Sequence, residues 1–169
     1  MEPSAMLITE ADLEAFHQTT MKISKKIMNG ESSLQAELGL TDTQLEAVYA
    51  IGFNYYRNRK NEEARRIFSF LTMINPLEYK FHFGLAAACQ VQKFFDMAAL
   101  HYLHSSIIDP SRPEPCYHLA ECLVSLDDSE GAIENLQKAI ERCGSDEAGQ
   151  RIRNRSLVFL ESLGKPSAQ

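Results

Sequence analysis

Five histidines and four cysteines carry most of the metal-binding and nucleophilic potential of this 169-residue chain. His101 and His104 stand three apart, and His118 and Cys122 four apart, so each pair shares one face of a helix. A metal site needs a further ligand, and neither pair has one at a useful spacing along the chain. These histidines are therefore expected on helix surfaces. Cys89, Cys116, Cys122 and Cys143 form no CxxC pair and no zinc-ribbon spacing, so four reduced thiols are expected, packed in a reducing compartment. Gly-rich phosphate loops, Gly-x-Ser-x-Gly elbows and His-Glu-x-x-His helices are absent. The sequence points away from an enzyme, and no cofactor or metal is expected; an enzyme-accessory or metal-binding role for His101, His104 and a neighbour stays as an alternative that stoichiometric zinc would revive.

Charge narrows the partners. The chain has 17 basic and 23 acidic residues, net −6, and residues 113–146 hold eight acids against two bases. The densest basic run is Arg57, Arg59, Lys60, Arg65 and Arg66, with Glu62 and Glu63 inside it, which suits a solvated surface better than a phosphate track. Nucleic acid and anionic membranes are not expected partners. No apolar run is long enough to span a bilayer, and Met1-Glu2-Pro3-Ser4 lacks a secretory signal pattern, so the protein is expected to stay where it is made. With 44% hydrophobic and 24% charged residues, the composition is that of a folded globule.

The elements that must position any site emerge from a period of 34. Gly52, Ala86 and Ala120 form one small-residue column, and Ala64, Ala98 and Ala132 another. Ile51, Leu85 and Leu119 are apolar; Phe68, Tyr102 and Leu136 are bulky; Pro76 and Pro110 are followed by Gly144 in the third copy. Period and columns match the tetratricopeptide repeat, a helix pair whose small residues let two backbones approach. The tryptophan position of that pattern is never Trp here, so the copies are degenerate.

The expected fold is all-α. Three tandem tetratricopeptide repeats (about 45–78, 79–112 and 113–146, within 44–144) form a short right-handed solenoid. Helices are expected at 44–57, 61–74, 78–91, 95–108, 113–126 and 129–142. Residues 1–43 form an N-terminal helical region in which Leu13, Phe16, Thr20, Ile23 and Ile27 share a face up to the Asn29-Gly30 break. Residues 145–163 form a capping helix, with Ile152, Phe159, Leu160 and Leu163 on one side and Arg151, Arg153 and Arg155 on the other. A disordered tail, 164–169, ends the chain.

The first helix of each repeat should line a concave groove. Its register selects Glu46, Tyr49, Phe53 and Tyr56, then Lys80, Phe83, Ala87 and Gln90, then Glu114, Tyr117, Glu121 and Val124. Five of these twelve are aromatic, against 9% of the chain, and they lie off the face that carries the small-residue columns. That favours an apolar groove for an extended peptide over further core. Glu114 and Glu121, with Tyr49 and Phe53 in place of basic and amide groups, disfavour a clamp for a peptide carboxylate.

Certain stretches carry a closer resemblance. Leu45–Tyr56 (LEAVYAIGFNYY), Ala64–Pro76 (ARRIFSFLTMINP), Tyr79–Ala88 and Tyr117–Cys122 (YHLAEC) resemble the class II type III secretion chaperones, over about residues 10–162. The resemblance implies a chaperone of the bacterial cytoplasm that binds hydrophobic translocator proteins, keeping them soluble until export. Carried over, Tyr49, Phe53, Tyr56, Phe83, Ala87, Tyr117 and Glu121 hold an extended translocator segment. It also implies a homodimer through the N-terminal helices, here Leu13, Phe16, Ile23 and Ile27, and in some members a transcription-activator partner. The basic turn Arg57–Lys60 departs from the family's glycine there and is expected to be shaped differently. The alternative is a tetratricopeptide scaffold or regulatory adaptor linking folded proteins, with Asp127, Asp128 and Glu130 on its binding face.

Overall fold

The computed structural model describes residues 9–164. Met1–Ser4 and the end of the expected tail, from 165 onward, lie outside the described residues. Every regular element among the described residues is a helix: α1 (Glu10–Met28), α2 (Leu34–Glu37), α3 (Asp42–Arg57), α4 (Asn61–Ile74), α5 (Tyr79–Val91), α6 (Phe95–Ile108), α7 (Glu114–Ser125), α8 (Ser129–Arg142) and α9 (Glu147–Leu163). The chain divides into two compact units between Asp42 and Thr43.

In the first unit, α1 ends where Gly30 takes φ +71, a left-handed conformation that glycine adopts without penalty. The Ser33 hydroxyl caps α2 by accepting from the Ala36 N–H at 3.1 Å, and Lys26 reaches Glu37 at 3.1 Å. On α1, Ile23 and Ile27 are half-buried, whereas Leu13 and Phe16 are 58% and 71% exposed.

The second unit repeats its local chemistry every 34 residues. Helices α4, α6 and α8 start at Asn61, Phe95 and Ser129. Before each, Arg59, Lys93 and Asp127 take φ values of +60°, +63° and +63°. The N–H groups of Arg59 and Lys60 donate to the carbonyls of Tyr56 and Tyr55, and the pairs Lys93/Phe94 and Asp127/Asp128 repeat the pattern. This is the Schellman closure of a helix. The basic first turn thus has the same shape as the corresponding turns of the other two repeats. The same pair of backbone bonds holds Arg59 in the left-handed region, as it holds Lys93 and Asp127, without a glycine. A second 34-residue device follows the even helices. The Asn75 side chain accepts from the Leu77 N–H (3.2 Å) and that of Asp109 from the Ser111 N–H (3.1 Å), bridging Pro76 and Pro110.

Packing explains the small-residue columns. Ala64, Ala86, Ala98, Ala120 and Ala132 have no exposed surface. A Cβ added at Gly52 would sit 2.9 Å from Ile67 Cγ2 and 3.0 Å from the Phe68 ring. One added at Gly84 would sit 2.9 Å from the same ring, so Phe68 of α4 is wedged between glycines of α3 and α5. Leu85 and Leu119 are buried as their column predicts, but Ile51 is 52% exposed. Ile51 lies on the first helix of its unit, with no preceding helix pair of that unit to cover it. At the far end Ile152, Phe159, Leu160 and Leu163 of α9 pack on the core built by Cys116, Ala120, Leu136 and Ala139. All four cysteines are free and buried.

Candidate peptide-binding face

Helices α3, α5 and α7 carry the predicted row, and adjacent helices pass it on through direct contacts. Tyr49 is half-buried; its ring stacks on Phe53 (6.4 Å between centroids) and tilts against Phe68 (5.6 Å) and Phe81 (5.9 Å). Lys80 lies 5.3 Å over the Tyr49 ring and pairs with Glu46, its counterpart one repeat earlier. Phe53 remains 46% exposed, and Tyr56 is half-buried. Phe83 meets Tyr102 edge-on at 5.4 Å and His118 at 5.8 Å, and Tyr102 stacks on His118 at 5.4 Å. Ala87, half-buried, leaves the row short of bulk one turn beyond Phe83.

A polar ladder crosses the aromatic row. The Tyr102 hydroxyl donates to Gln90 Oε1 (2.8 Å), and the Gln90 amide donates to Glu121 Oε2 (3.0 Å). The same oxygen faces His118 Nδ1 at 2.8 Å, and Arg155 approaches the other carboxylate oxygen at 3.7 Å. Burial pushes the Glu121 carboxyl up, but hydrogen bonds from His118 and Gln90 outweigh it and hold the group below its ordinary value. Glu121 is thus an ionised, fully engaged acceptor. Burial pushes the hydroxyls of Tyr49, Tyr56, Tyr79, Tyr102 and Tyr117 up, so all five stay neutral, and the half-buried Tyr49, Tyr56 and Tyr79 can exchange hydrogen bonds with a peptide backbone.

Several participants come from outside the predicted row. Tyr117 lies in register but is only 6% exposed, because α9 covers it: Phe159 packs at 6.3 Å and the Arg155 guanidinium lies 4.4 Å above its ring. Arg155 and Arg153 do not simply face away from the apolar side of α9. Arg153 reaches back to the Cys143 carbonyl (3.0 Å), and Arg155 borders a shallow depression with Tyr117, Val158 and Phe159. Neither Arg155 nor His118 carries a signal within the repeat pattern, since one belongs to the capping helix and the other sits beside a groove position. Tyr102 was legible only as a bulky column.

Of the five histidines, His82 departs from its expected surface position. His82 is 5% exposed, and one ring nitrogen each of His82, His101 and His104 gather within 4.8 Å of one another. The third ligand that the i,i+3 pair lacks in sequence comes from the neighbouring helix.

No family model matches the chain. The low calcium response locus protein H of Yersinia pestis is 27% identical over 124 residues, covering 73% of this chain and 74% of that protein. The structure of PcrH with the chaperone binding region of PopD superposes with a TM-score of 0.71 at 30% identity, covering 74% of this chain and 94% of PcrH. The chain belongs to the class II type III secretion chaperones. SycD of Yersinia enterocolitica, solved with a peptide of the translocator YopD, matches this chaperone with a TM-score of 0.70 at 27% identity, covering 73% and 94% of the two chains. No described helix of the chaperone is long and apolar enough to cross a membrane.

Proposed function

We propose that this protein is a non-enzymatic chaperone of the bacterial cytoplasm that holds an extended segment of a hydrophobic translocator against Tyr49, Phe53, Tyr56, Phe83, Ala87, Tyr117 and Glu121. One observation carries the reading: an exposed or half-buried aromatic row runs along the first helices of two successive repeats and ends against the buried Tyr117 of the third, in a chain whose relatives PcrH and SycD were solved with translocator segments. Apolar side chains of the client seat beside Phe53 and over Ala87, where the row is open, and the neutral tyrosines serve its backbone. Two or three such side chains supply about 1.5–3 kcal/mol each. Ordering the segment takes back about 2–5 kcal/mol, so these side chains leave at most about 7 kcal/mol, a Kd no tighter than about 10 micromolar, and release needs no nucleotide.

The double variant Phe53→Ala/Tyr56→Ala tests the reading by titration with a translocator segment. A loss of affinity of about tenfold or more is expected, with the helical circular dichroism unchanged. Unfolding would place those rings in the core, and undiminished binding would remove the client from this face. If groove variants keep their partners while charge reversal at Asp127, Asp128 and Glu130 loses them, the protein is a scaffold.

The exposed Leu13 and Phe16, with Ile23 and Ile27, are the proposed homodimer surface, supported by the dimer seen for SycD. Leu13→Asp/Phe16→Asp should elute as a monomer by light scattering where the parent protein is a dimer; an unchanged mass would move the interface elsewhere. A transcription activator is a further proposed partner.

A further inference from the structure

Three imidazoles that no part of the client-binding reading uses converge between α5 and α6. His82 sits in the first turn of α5, and its Nε2 donates to the Pro76 carbonyl at 3.0 Å. That bond fixes the ring's tautomer and leaves Nδ1 as a lone pair. Metal-binding histidines are oriented in this way, one nitrogen tied to a carbonyl and the other free. His82 Nδ1 lies 3.1 Å from His101 Nδ1. Two nitrogens that share a tetrahedral zinc at about 2.0–2.1 Å lie about 3.3–3.4 Å apart, so this pair already has nearly the spacing of two ligands. His104, one turn beyond His101, completes the set: its ring centroid is 5.1 Å from that of His82 and 5.9 Å from that of His101.

We propose that His82, His101 and His104 bind one zinc-class divalent cation, with solvent as the fourth ligand, and that the ion ties α5 to α6. An i,i+3 pair on one helix with a third ligand from its antiparallel neighbour is a recurrent way for helical proteins to hold a metal. Three neutral imidazoles suit Zn2+, and also Cu2+ and Ni2+, rather than Mg2+ or Ca2+. Burial, with the neighbouring rings, holds His101 at about 4, and burial also lowers His82, so both offer lone pairs at neutral pH. When the ion enters, the proton between the two Nδ1 atoms gives way to it, and His101 carries its proton on Nε2. The cysteines do not compete: burial raises all four thiols, Cys122 to about 12, and keeps them protonated.

The test uses the full chain without an affinity tag, stripped with chelator and titrated with zinc chloride by calorimetry and thermal melting. About one ion per chain is expected, with a rise in Tm of several degrees once zinc is in large excess over Kd. His104→Gln removes a ring less enclosed than His82 and should melt like the metal-free parent, yet bind zinc at least tenfold more weakly. His101→Gln should do the same, and His17→Gln should bind as the parent does. Absence of saturable binding, or full affinity in both His101→Gln and His104→Gln, would overturn the proposal. So would zinc that leaves with His17.

Discussion

At the residue scale, the groove joins apolar rings to one carboxylate that is never alone. Glu121 collects Gln90, His118 and Arg155, and through Gln90 the hydroxyl of Tyr102. Half-buried, the carboxylate loses part of its hydration, and these partners replace it while aligning α5, α7 and α9. Its carboxyl titrates below the ordinary 4.5 in the folded chain, so as pH falls the unfolded chain takes up its proton first. The stabilisation is therefore full above about pH 4.5 and fades as pH drops through the lower folded value. Melting curves between about pH 6 and pH 3 should fall less steeply for Glu121→Gln than for the parent. Parallel curves would mean that the ladder does not hold the carboxylate ionised. The aromatic members of this site were legible because register alone places them. His118 and Arg155 were not, because contacts between elements bring them in. His82 escaped for a different reason: one helix supplied an i,i+3 pair, and only packing against the next supplied the third ring.

At the scale of elements, each helix pair is closed by backbone geometry rather than by a special residue. Three left-handed turns fall 34 residues apart on Arg, Lys and Asp, where glycine is favoured by about 1 kcal/mol or more. The starts of α4, α6 and α8 are legible from sequence because alanine columns, prolines and period agree. The wedge of Phe68 is not, since Gly84 stands outside every column. A Cβ at Gly84 would press on a ring that is 1% exposed and has no room to turn. Gly84→Ala should therefore lower stability by about 1–2 kcal/mol, overpacking outweighing the better helix propensity of alanine. Chemical denaturation measures this directly; a stabilised variant would show that Phe68 yields and that the wedge is loose. Ile51 marks where the repeat logic ends, because the column of Ile51, Leu85 and Leu119 is buried only where a preceding pair of the same unit stands in front of it.

At the scale of the whole molecule, the account makes one row of side chains on α3, α5 and α7 the client's seat. The exposed apolar residues of α4, such as Phe70 (40% exposed), take no part in it. The most direct measurement places a photo-crosslinking amino acid at Phe53, and separately at Phe70, in the source bacterium grown under secretion-inducing conditions. The captured peptides are then read by mass spectrometry. The account predicts that position 53 captures a short apolar segment of a secreted, membrane-active protein and that position 70 does not. Capture of that segment from position 70 alone, or equally from both, would contradict it.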